Sequence, residues 1–436
     1  MKPNALMYKF CLLLLAFAAL VGSAVAQKAP RQEKLLNGLK ILMWSEPAAD
    51  KVSVKIRVHS GSAFDPQGKE GLMYLLAQNF FPNEPSREFF SEDLGGNLEI
   101  ISNYDYIQIN ATSNPASMLQ MLDTLAQVVT NPTIDKETTD SIKAALAAKL
   151  DALEKDPAYV ADQAVAKRLF GKFPYGRPQM GTKESISKID FADLRFAKDR
   201  FFGADNATIA ISGNFNSDLA FKATRRYFGA WLKSDKRVPS TFEQPGEPDT
   251  KLAGVTIPDG NGDSQVRYAL RGLGRSDRNY FAGEIVAKIL NSRLKGFLPS
   301  ARTGNSFVRN EARILPGIVV FGYSSGPAPI MAAPVSSSGT GSRPAGLPDN
   351  VASLLLSGTI SNEEYSAAKS EVSSEFNAKA VADRWLDVDT YKLTAIEEAE
   401  KNLDPITLSD VQRVENELAK RPVVIISVMA NTNKPS

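Results

Sequence analysis

Apolar and polar residues alternate without interruption along residues 52–59. The apolar side chains fall on one face, at Val52, Val54, Ile56 and Val58. A period of two residues predicts a β-strand with one buried face and one polar face. His59 falls on the polar face. We therefore expect a structural histidine at the surface rather than a lone metal ligand, because a metal site needs several ligands.

The remaining hydrophobic patterns divide the chain into two successive halves of similar size. Strands are predicted at residues 41–44, 98–111, 207–212, 266–270, 317–323 and 422–428. A period near 3.6 residues predicts helices at residues 71–81, 118–129, 135–153, 157–170, 218–231, 280–298, 351–356, 363–393 (where a break can occur) and 409–418. The pattern predicts an α+β fold of two related domains, in which a sheet is packed by helices.

Two stretches of polar, turn-forming composition interrupt this pattern. Residues 237–250 are rich in proline and poor in apolar residues, and we interpret them as a linker. They separate an N-terminal domain, residues 32–236, from a C-terminal domain, residues 251–430. Residues 324–350 are rich in proline, glycine and serine, which predicts a disordered surface insert. A contact with a substrate or partner is the alternative role for this insert.

Composition excludes several classes of function. The chain has 436 residues, of which 43% are hydrophobic and 23% charged, as in an ordinary globular protein. Its 51 lysines and arginines against 49 acidic residues leave a net charge of +2. No basic run interleaved with aromatic residues is present, so we predict no nucleic-acid partner.

The N-terminus has the features of an export signal. Lys2 and Lys9 precede an apolar run of about twelve residues, and Ala24-Val25-Ala26 forms a small-residue cleavage site. We predict a signal peptide at residues 1–26 and a periplasmic or secreted chain that is soluble after cleavage. An uncleaved membrane anchor is the alternative, although the apolar run is shorter than the ~20 residues that span a bilayer. The one cysteine, Cys11, would leave with the signal, which excludes disulfide and thiol chemistry in the mature chain.

A series of short motifs follows in a distinctive order. They are L-N-G-L at residues 36–39, G-S-A at 61–63, G-K-E-G-L at 68–72, L-G-G at 94–96, P-Y-G-R-P at 174–178, N-S-R-L at 291–294 and R-P-V at 421–423. Together these motifs resemble the insulinase/pitrilysin family of zinc peptidases over nearly all of the mature chain. The resemblance implies two homologous domains that close as a clamshell around a chamber for extended peptides.

The chain departs from the family at the zinc motif. The family carries a helical H-x-x-E-H, in which two histidines bind zinc and the glutamate is the general base. This chain has one histidine in total, and residues 74–78 read Y-L-L-A-Q. The resemblance places Tyr74 and Gln78 at the histidine positions and Ala77 at the base. Tyrosine and glutamine are poor zinc ligands, and alanine cannot transfer a proton.

The other functional positions of the family are also substituted. The resemblance places Lys149 at the third ligand, where its charge opposes zinc, unless Lys149 is a solvated helix residue outside the site. This placement takes the segment between Phe81 and Leu94 to be a shortened turn. The arginine and tyrosine that the second domain contributes correspond to Pro299 and Phe307, although Arg302 or Arg309 could replace the arginine. We therefore predict no zinc, no other cofactor and no catalytic residue in this chain.

Peptide contacts are expected on the strand predicted at residues 98–111. The family uses the corresponding edge strand to receive an extended peptide by β-addition. The candidate contacts are Asn103, Tyr104, Tyr106 and Gln108. A plain sheet strand with packed tyrosines is the alternative interpretation.

Three functional hypotheses follow. The first is a non-catalytic, insulinase-like subunit of the bacterial cell envelope that pairs with an active zinc-bearing homologue and contacts a peptide or unfolded polypeptide. The second is a stand-alone peptide-binding or scaffold module. The third is a zinc metalloendopeptidase, which the resemblance alone would suggest and the substituted residues oppose.

Overall fold

The computed structural model describes residues 29–234, 242–258, 260, 262–298, 305–326, 351–394, 396 and 403–430. The predicted signal peptide lies outside the described residues, as do residues 237–241 of the predicted linker and residues 327–350 of the predicted insert. No helix among the described residues is long and apolar enough to cross a membrane.

The described residues form eleven strands and thirteen α-helices. The strands are β1 Arg31–Lys34, β2 Lys40–Ser45, β3 Val52–Val58, β4 Leu98–Ser102, β5 Ile107–Ser113, β6 Ala207–Gly213, β7 Ala253–Ile257, β8 Ser264–Arg271, β9 Phe307–Glu311, β10 Ile318–Gly326 and β11 Val424–Ala430. The helices are α1 Leu72–Asn79, α2 Glu84–Glu92, α3 Met118–Thr130, α4 Lys136–Leu153, α5 Pro157–Phe170, α6 Lys183–Ser187, α7 Phe191–Phe201, α8 Ser217–Phe228, α9 Tyr280–Phe297, α10 Val351–Leu356, α11 Asn362–Ala378, α12 Val381–Tyr391 and α13 Leu408–Ala419.

The first sheet has six strands in the order β1-β2-β6-β3-β5-β4. β2 and β6 run parallel, and the other neighbours pair antiparallel. β3 lies between β6 and β5, with Val54 opposite Ile211 and Ala111. The alternation predicted for β3 is confirmed, because its valines and isoleucine lie in the core on one face of the sheet. Lys55 and Arg57 consequently point to the opposite face.

The second sheet has five strands in the order β7-β11-β8-β10-β9. β11 and β7 run parallel, and the other neighbours pair antiparallel. Helices α9, α10, α11 and α13 pack on one face of this sheet, as α1, α3, α4, α7 and α8 do on the first. The α+β prediction of two sheet-and-helix domains is confirmed.

Each sheet is covered on its second face by a helix from the other half of the chain. α5, from the N-terminal half, packs on the second sheet through Ala161, Val165 and Leu169. α12, from the C-terminal half, packs on the first sheet through Ala382 and Leu386. The two halves therefore complete each other's layers rather than meeting at one flat surface.

Four details of the sequence prediction are wrong. Residues 98–111 form a hairpin of β4 and β5 rather than one strand. The segment after Phe81, expected to be a turn, contains helix α2, which Asn83 caps by accepting the N–H of Ser86 at 3.0 Å. Residues 324–326 belong to β10 and not to the insert. His59 is not at the open surface, because α12 covers the polar face of β3.

Candidate functional site

Helix α1, which carries the positions of the zinc motif, begins at a tight turn. Gly71 precedes it with a φ of 94°, and a Cβ atom there would lie 2.6 Å from the carbonyl oxygen of Met180. Both features require glycine. The buried carboxylate of Asp65 accepts the N–H groups of Gly71 and Met73 at 2.8 Å each, which satisfies the free donors at the start of the helix.

The helical period divides the motif residues between two environments. Leu75, Leu76 and Ala77 are fully buried in the first core. Tyr74 and Gln78, four residues apart, lie on the partly exposed face of α1. The two positions that the family resemblance assigns to zinc ligands therefore share one accessible face, whereas Ala77 packs into the core.

Tyr74 and Lys149 are in direct contact. The Lys149 ammonium on α4 donates a hydrogen bond to the Tyr74 hydroxyl at 3.0 Å and lies 5.4 Å from the centre of its ring. The structure thus brings together residues that are 75 positions apart. Lys149 contacts Tyr74, as expected if it occupies the third-ligand position, and it is also exposed, as expected of a solvated helix residue. Each of the two interpretations therefore describes part of its environment.

Gln78 has a different partner. Its side-chain oxygen accepts a hydrogen bond from the Arg87 guanidinium of α2 at 3.1 Å, and Arg87 also donates to the carbonyl of Phe81. The sequence analysis missed Arg87 because it assigned this segment to a turn. Asn83 followed by Glu84 and Pro85 is the helix-start pattern that could have identified α2.

These residues do not fit a zinc ion. The only ligand-type atoms on the accessible face of α1 are a phenol and an amide, and each already bonds to a cationic side chain. Zinc in proteins is held by imidazole, thiolate or carboxylate, and the Lys149 and Arg87 charges oppose a divalent cation. Among the described residues, no three histidine, cysteine, aspartate or glutamate side chains are placed to share a metal ion.

A cavity of about 310 Å³ opens next to Tyr74. Its wall includes Ser102 at the end of β4, Tyr104, Tyr159 of α5 and Arg313 from the second half. β4 is the outer strand of the first sheet, so its free edge ends at this cavity. Tyrosine rings and paired charges line the cavity, and both can hydrogen-bond to a ligand that enters it.

Hydrogen bonds next to this cavity join the two halves of the chain. Asp105 accepts hydrogen bonds from the Tyr175 hydroxyl at 3.0 Å and from the N–H of Ile314 at 3.2 Å. Burial raises the pKa of Asp105 to about 6, although the nearby Arg313 charge acts in the opposite direction. The Arg313 guanidinium lies 4.1 Å from the Tyr104 ring centre, so the cavity wall is packed from both halves.

Of the two second-domain positions that the resemblance assigns, Pro299 and Phe307, the structure describes only Phe307. Pro299 and Arg302 lie outside the described residues. The Phe307 ring lies between the guanidinium groups of Arg267 and Arg309, at 4.9 and 4.4 Å. Arg309 also pairs with Asp162 at 2.9 Å, so it is engaged within the protein. Phenylalanine has no hydroxyl with which to stabilise an oxyanion.

Most of the predicted peptide contacts are used inside the protein. The Asn103 side chain accepts the N–H groups of Asp105 and Tyr106 at 2.9 Å each and shapes the turn between β4 and β5. Tyr106 packs under Arg57, and Gln108 is 2% exposed. Tyr104 alone of the four lines the cavity, and its hydroxyl donates to the carbonyl of Arg177. Ser102, which the sequence analysis did not select, also lines the cavity.

His59 lies away from the cavity, between β3 and α12. Its ring nitrogens are each 3.0 Å from a hydroxyl, that of Thr390 on α12 and that of Thr208 on β6. Burial lowers the pKa of His59 to about 3, so the imidazole is neutral at physiological pH. The expectation of a structural histidine fits these contacts, but the expectation of a surface position was wrong.

Family comparison agrees with the architecture. The family model described as Insulinase (Peptidase family M16) matches residues 40–183, and the model described as Peptidase M16 inactive domain matches residues 188–311. The chain belongs to the insulinase family, peptidase family M16. The resemblance inferred from the short motifs is therefore confirmed.

Individual relatives are distant in sequence and similar in fold. The uncharacterized zinc protease YmxG of Bacillus subtilis is 22% identical over 205 residues, 46% of this chain and 50% of the relative. The peptidase M16 inactive domain from Pseudomonas fluorescens is 18% identical, with a TM-score of 0.77 over 93% of this chain and 98% of that one. The periplasmic protease PqqL from Escherichia coli is 16% identical, with a TM-score of 0.67, and is matched over 93% of this chain and 48% of its own.

The chain spans about half the length of the curated relatives it matches. Those relatives carry the name zinc protease, whereas the positions that the family resemblance assigns to the ligands and the base hold tyrosine, alanine, glutamine and lysine in this chain. At these identities the comparisons establish family and fold, and the function has to be argued from the site itself.

Proposed function

We propose that this protein is a non-catalytic insulinase-family subunit of the cell envelope, which pairs with an active zinc-bearing homologue and helps to form a peptide-binding chamber. The observation that carries the proposal is the Lys149–Tyr74 hydrogen bond of 3.0 Å at the position of the zinc site. The Lys149 ammonium group would lie beside the position at which active members of the family bind zinc. At this position the described side chains Tyr74, Ala77, Gln78 and Lys149 offer neither a metal-activated water nor a general base for hydrolysis.

The pairing is supported by the size of the structural neighbours. PqqL contains about two lengths of this chain, whereas the Pseudomonas fluorescens chain is matched over 98% of its length. A single unit of this fold thus corresponds to one half of a longer family member. A partner with an intact motif would supply the missing half and the catalytic residues. Export, as predicted from the N-terminus, would place this pair outside the cytoplasm.

A second candidate function is stand-alone peptide binding. The observation that favours it is the free edge of β4, which ends at Ser102 on the wall of the Tyr74 cavity. An extended peptide could add to this edge by main-chain hydrogen bonds, with a side chain in the cavity. This function needs no partner and no metal.

The decisive experiment is co-expression with a homologue from the same genome that has an intact H-x-x-E-H. We expect a 1:1 complex by size-exclusion chromatography and cleavage of an unstructured peptide well above that of the homologue alone. The Lys149→Glu variant is the matched control: it should enhance cleavage as the wild type does, because this chain supplies no zinc ligand. A monomer that still binds peptide would favour the second candidate.

Two measurements on the isolated chain complete the test. Elemental analysis after dialysis should find far less than one zinc per chain, and unstructured peptides should remain uncleaved. Cleavage by the isolated wild type that a chelator abolishes would contradict the proposal. N-terminal sequencing of the exported protein should find a start at or near Gln27.

A further inference from the structure

Among the described residues, the two most exposed large apolar side chains lie close together on the first domain. Leu36 is 100% exposed in the turn between β1 and β2, and Leu232 is 77% exposed in the segment after α8. The Asn37 side chain joins the two segments, because it donates a hydrogen bond to the carbonyl of Trp231 at 2.9 Å. Each exposed leucine is therefore the chain neighbour of a residue in direct contact with the other segment.

The main chain fixes both leucines in place. Gly38 closes the turn after Leu36 with a φ of 91°, a conformation that favours glycine. The carbonyl of Leu232 accepts the N–H of Ala204 at 2.9 Å, and the buried indole of Trp231 donates to the carbonyl of Phe202 at 2.8 Å. The segments are thus anchored to the core while the leucine side chains face solvent. A surface that is already ordered loses little conformational freedom when it binds a partner.

Positive charge surrounds the two leucines. We call residues 34–38 and 225–234 together the leucine tip. The tip contains four cations and no acidic residue. The cations are Lys34, Arg225, Arg226 and Lys233. All four side chains are exposed, and none of them forms an ion pair within the part of the chain that the structure describes.

The acids beside the tip do not neutralise it. Asp205 accepts the N–H of Ser234 at 3.0 Å. Glu33 and Asp218 both pair with Arg31, at 2.9 and 2.6 Å. With Arg31 of β1 and the exposed Lys222 of α8 included, this surface carries six cations against three acids. It therefore presents net positive charge to a partner.

Shape and charge together indicate the kind of partner. A side chain that is 100% exposed contacts no wall, so Leu36 projects from the surface rather than lining a groove of the kind that holds a peptide or small ligand. Isolated exposed leucines are ordinary, but two that project from one cationic surface are not. An anionic lipid surface supplies an apolar layer for projecting leucines and spread-out negative charge for the cations around them.

We propose that the leucine tip binds peripherally to an anionic lipid surface. Leu36 and Leu232 enter the headgroup layer, and the four tip cations lie beside the lipid phosphates. Binding of this kind is reversible and needs no membrane-spanning helix, so it is compatible with a chain that is soluble after export. It depends neither on the residues of the zinc position nor on a homologous partner.

The test is co-sedimentation of the exported chain, beginning at Gln27, with lipid vesicles. One set of vesicles is phosphatidylcholine with about one third phosphatidylglycerol, and the other is phosphatidylcholine alone. We expect at least about tenfold stronger partition onto the anionic vesicles, because each cation near such a surface adds to the attraction. Added salt should weaken this partition, because it screens the exposed charges.

Two double variants locate the contact on the tip. Leu36→Ser with Leu232→Ser removes the apolar anchors, and Lys34→Glu with Lys233→Glu reverses two of the charges. Each double variant should partition onto anionic vesicles at least about tenfold more weakly than the wild type. Thermal unfolding should be unchanged, because all four side chains are exposed.

Matched controls change the same residue types elsewhere on the surface. Leu252→Ser removes a leucine that is 49% exposed in the second half of the chain. Lys155→Glu with Lys420→Glu reverses two exposed lysines outside the tip, so it alters the net charge as much as the tip variant does. Both controls should partition as the wild type does.

A fluorescent label measures insertion directly. Cys11 is the one cysteine of the chain and lies in the predicted signal, so Leu36→Cys gives the exported chain a single site for an environment-sensitive dye. The emission should shift to the blue on anionic vesicles. The same dye on Leu252→Cys should not shift.

Three results would overturn the proposal: equal partition onto the two kinds of vesicle, wild-type partition in both tip variants, or an unshifted label at position 36. Wild-type partition in tip variants that no longer form the complex with the active homologue would make the tip a protein interface instead. Failure of the complex to form would contradict the proposed function alone, because the vesicle measurements use no homologue.

Discussion

The helices that join the two halves, α5 and α12, cover their sheets with different shares of apolar and ionic contact. α5 meets the second sheet mainly through small and aliphatic side chains, and its buried partners there include Ala269, Val320, Val424, Ile426 and Val428. It adds one ion pair with the buried Arg267 of β8, which donates to Asp162 at 2.7 Å. α12 meets the first sheet through only five buried apolar residues, which are Leu42, Trp44, Ala210, Ala382 and Leu386. Val381 and Trp385 add partly buried apolar contact, with the Trp385 ring centre 6.3 Å from that of Trp44, and ionic and hydrogen-bonded contacts complete the interface.

The ionic part of the α12 contact follows the polar face of the first sheet. Arg57, 2% exposed, donates to the Asp387 carboxylate at 2.7 Å. Lys55 pairs with Asp383 at 2.6 Å, one helical turn earlier on α12. Asp383 and Asp387 are four residues apart, so they share one face of α12. That face meets β3, where the two acids contact Lys55 and Arg57. Each strand cation thus has a specific helix carboxylate.

The difference between the contacts concerns specificity as much as strength. Aliphatic contacts tolerate small shifts of a helix, because burial is roughly proportional to area. A buried ion pair adds little stability compared with a well-packed apolar pair. However, removing one partner leaves the other charge buried and unpaired, which is strongly destabilising, and a shift of the helix would have the same effect. We infer that α12 is held in register mainly by its charges, whereas α5 relies mainly on its apolar contact, with one further constraint from the Asp162–Arg267 pair.

The largest effect is expected from Asp387→Ala. The change leaves the Arg57 guanidinium buried without its carboxylate, which should lower the free energy of unfolding by about 4 kcal/mol. Urea unfolding monitored by fluorescence measures the loss. Asp140→Ala, which breaks an exposed pair with Lys136, is the control and should change stability by less than about 0.5 kcal/mol.

A double substitution sharpens this result. Arg57→Met with Asp387→Leu removes both charges, and stability should recover most of the loss seen in Asp387→Ala. If the single and double variants were equally unstable, packing rather than charge would hold α12.

Leu169→Ala tests the apolar contact of α5. Leu169 is fully buried, so the substitution should cost about 3 kcal/mol through lost burial and the cavity that remains. Unlike the loss in Asp387→Ala, this loss should be the same at low and high salt. Urea unfolding at two salt concentrations measures it, and a marked salt dependence would show that the substitution also disturbs the Asp162–Arg267 pair of α5.

His59 should make the α12 contact sensitive to acid. Burial lowers its pKa to about 3 from the 6.5 expected in the unfolded chain. Between these values the unfolded chain binds the extra proton, so stability is full above about pH 6.5 and falls as the pH drops toward 3. Asp389 opposes this shift, whereas Lys392, Arg57 and Lys40 reinforce it.

The pH effect is measured as a difference between the wild type and His59→Gln. Between about pH 7.5 and pH 4.5 the wild type should lose about 2 kcal/mol more than the variant, because glutamine takes up no proton. Parallel acid-denaturation slopes would show that His59 is protonated in the folded protein as easily as in the unfolded one.

The sequence predicted the elements that have a local hydrophobic pattern, but it did not predict contacts between distant parts of the chain. The helices α1 and α4 follow from their apolar period, and the family resemblance then named Tyr74 and Lys149 on them. Arg87 could not be named, because no apolar period was recognised in the segment of α2, although proline is favoured at the start of a helix and Pro85 stands there. The β3 alternation identified a polar face. It could not show that a helix more than 300 residues later would bury that face.

The smallest effect is expected at the rim of the α12 contact. Lys40 pairs with Asp389 at 3.1 Å, but both side chains are about one quarter exposed, at 28% and 25%. Solvent screens such a pair, so Lys40→Gln should cost about 0.5 kcal/mol, and added salt should remove the difference. Asp389 keeps the Thr208 hydroxyl as a donor at 3.0 Å, so the carboxylate is not stranded when the lysine is removed. Urea unfolding of wild type and variant at low and high salt measures the effect. A loss near that of Asp387→Ala would mean that the whole polar face, and not the buried Arg57 pair, holds α12 in register.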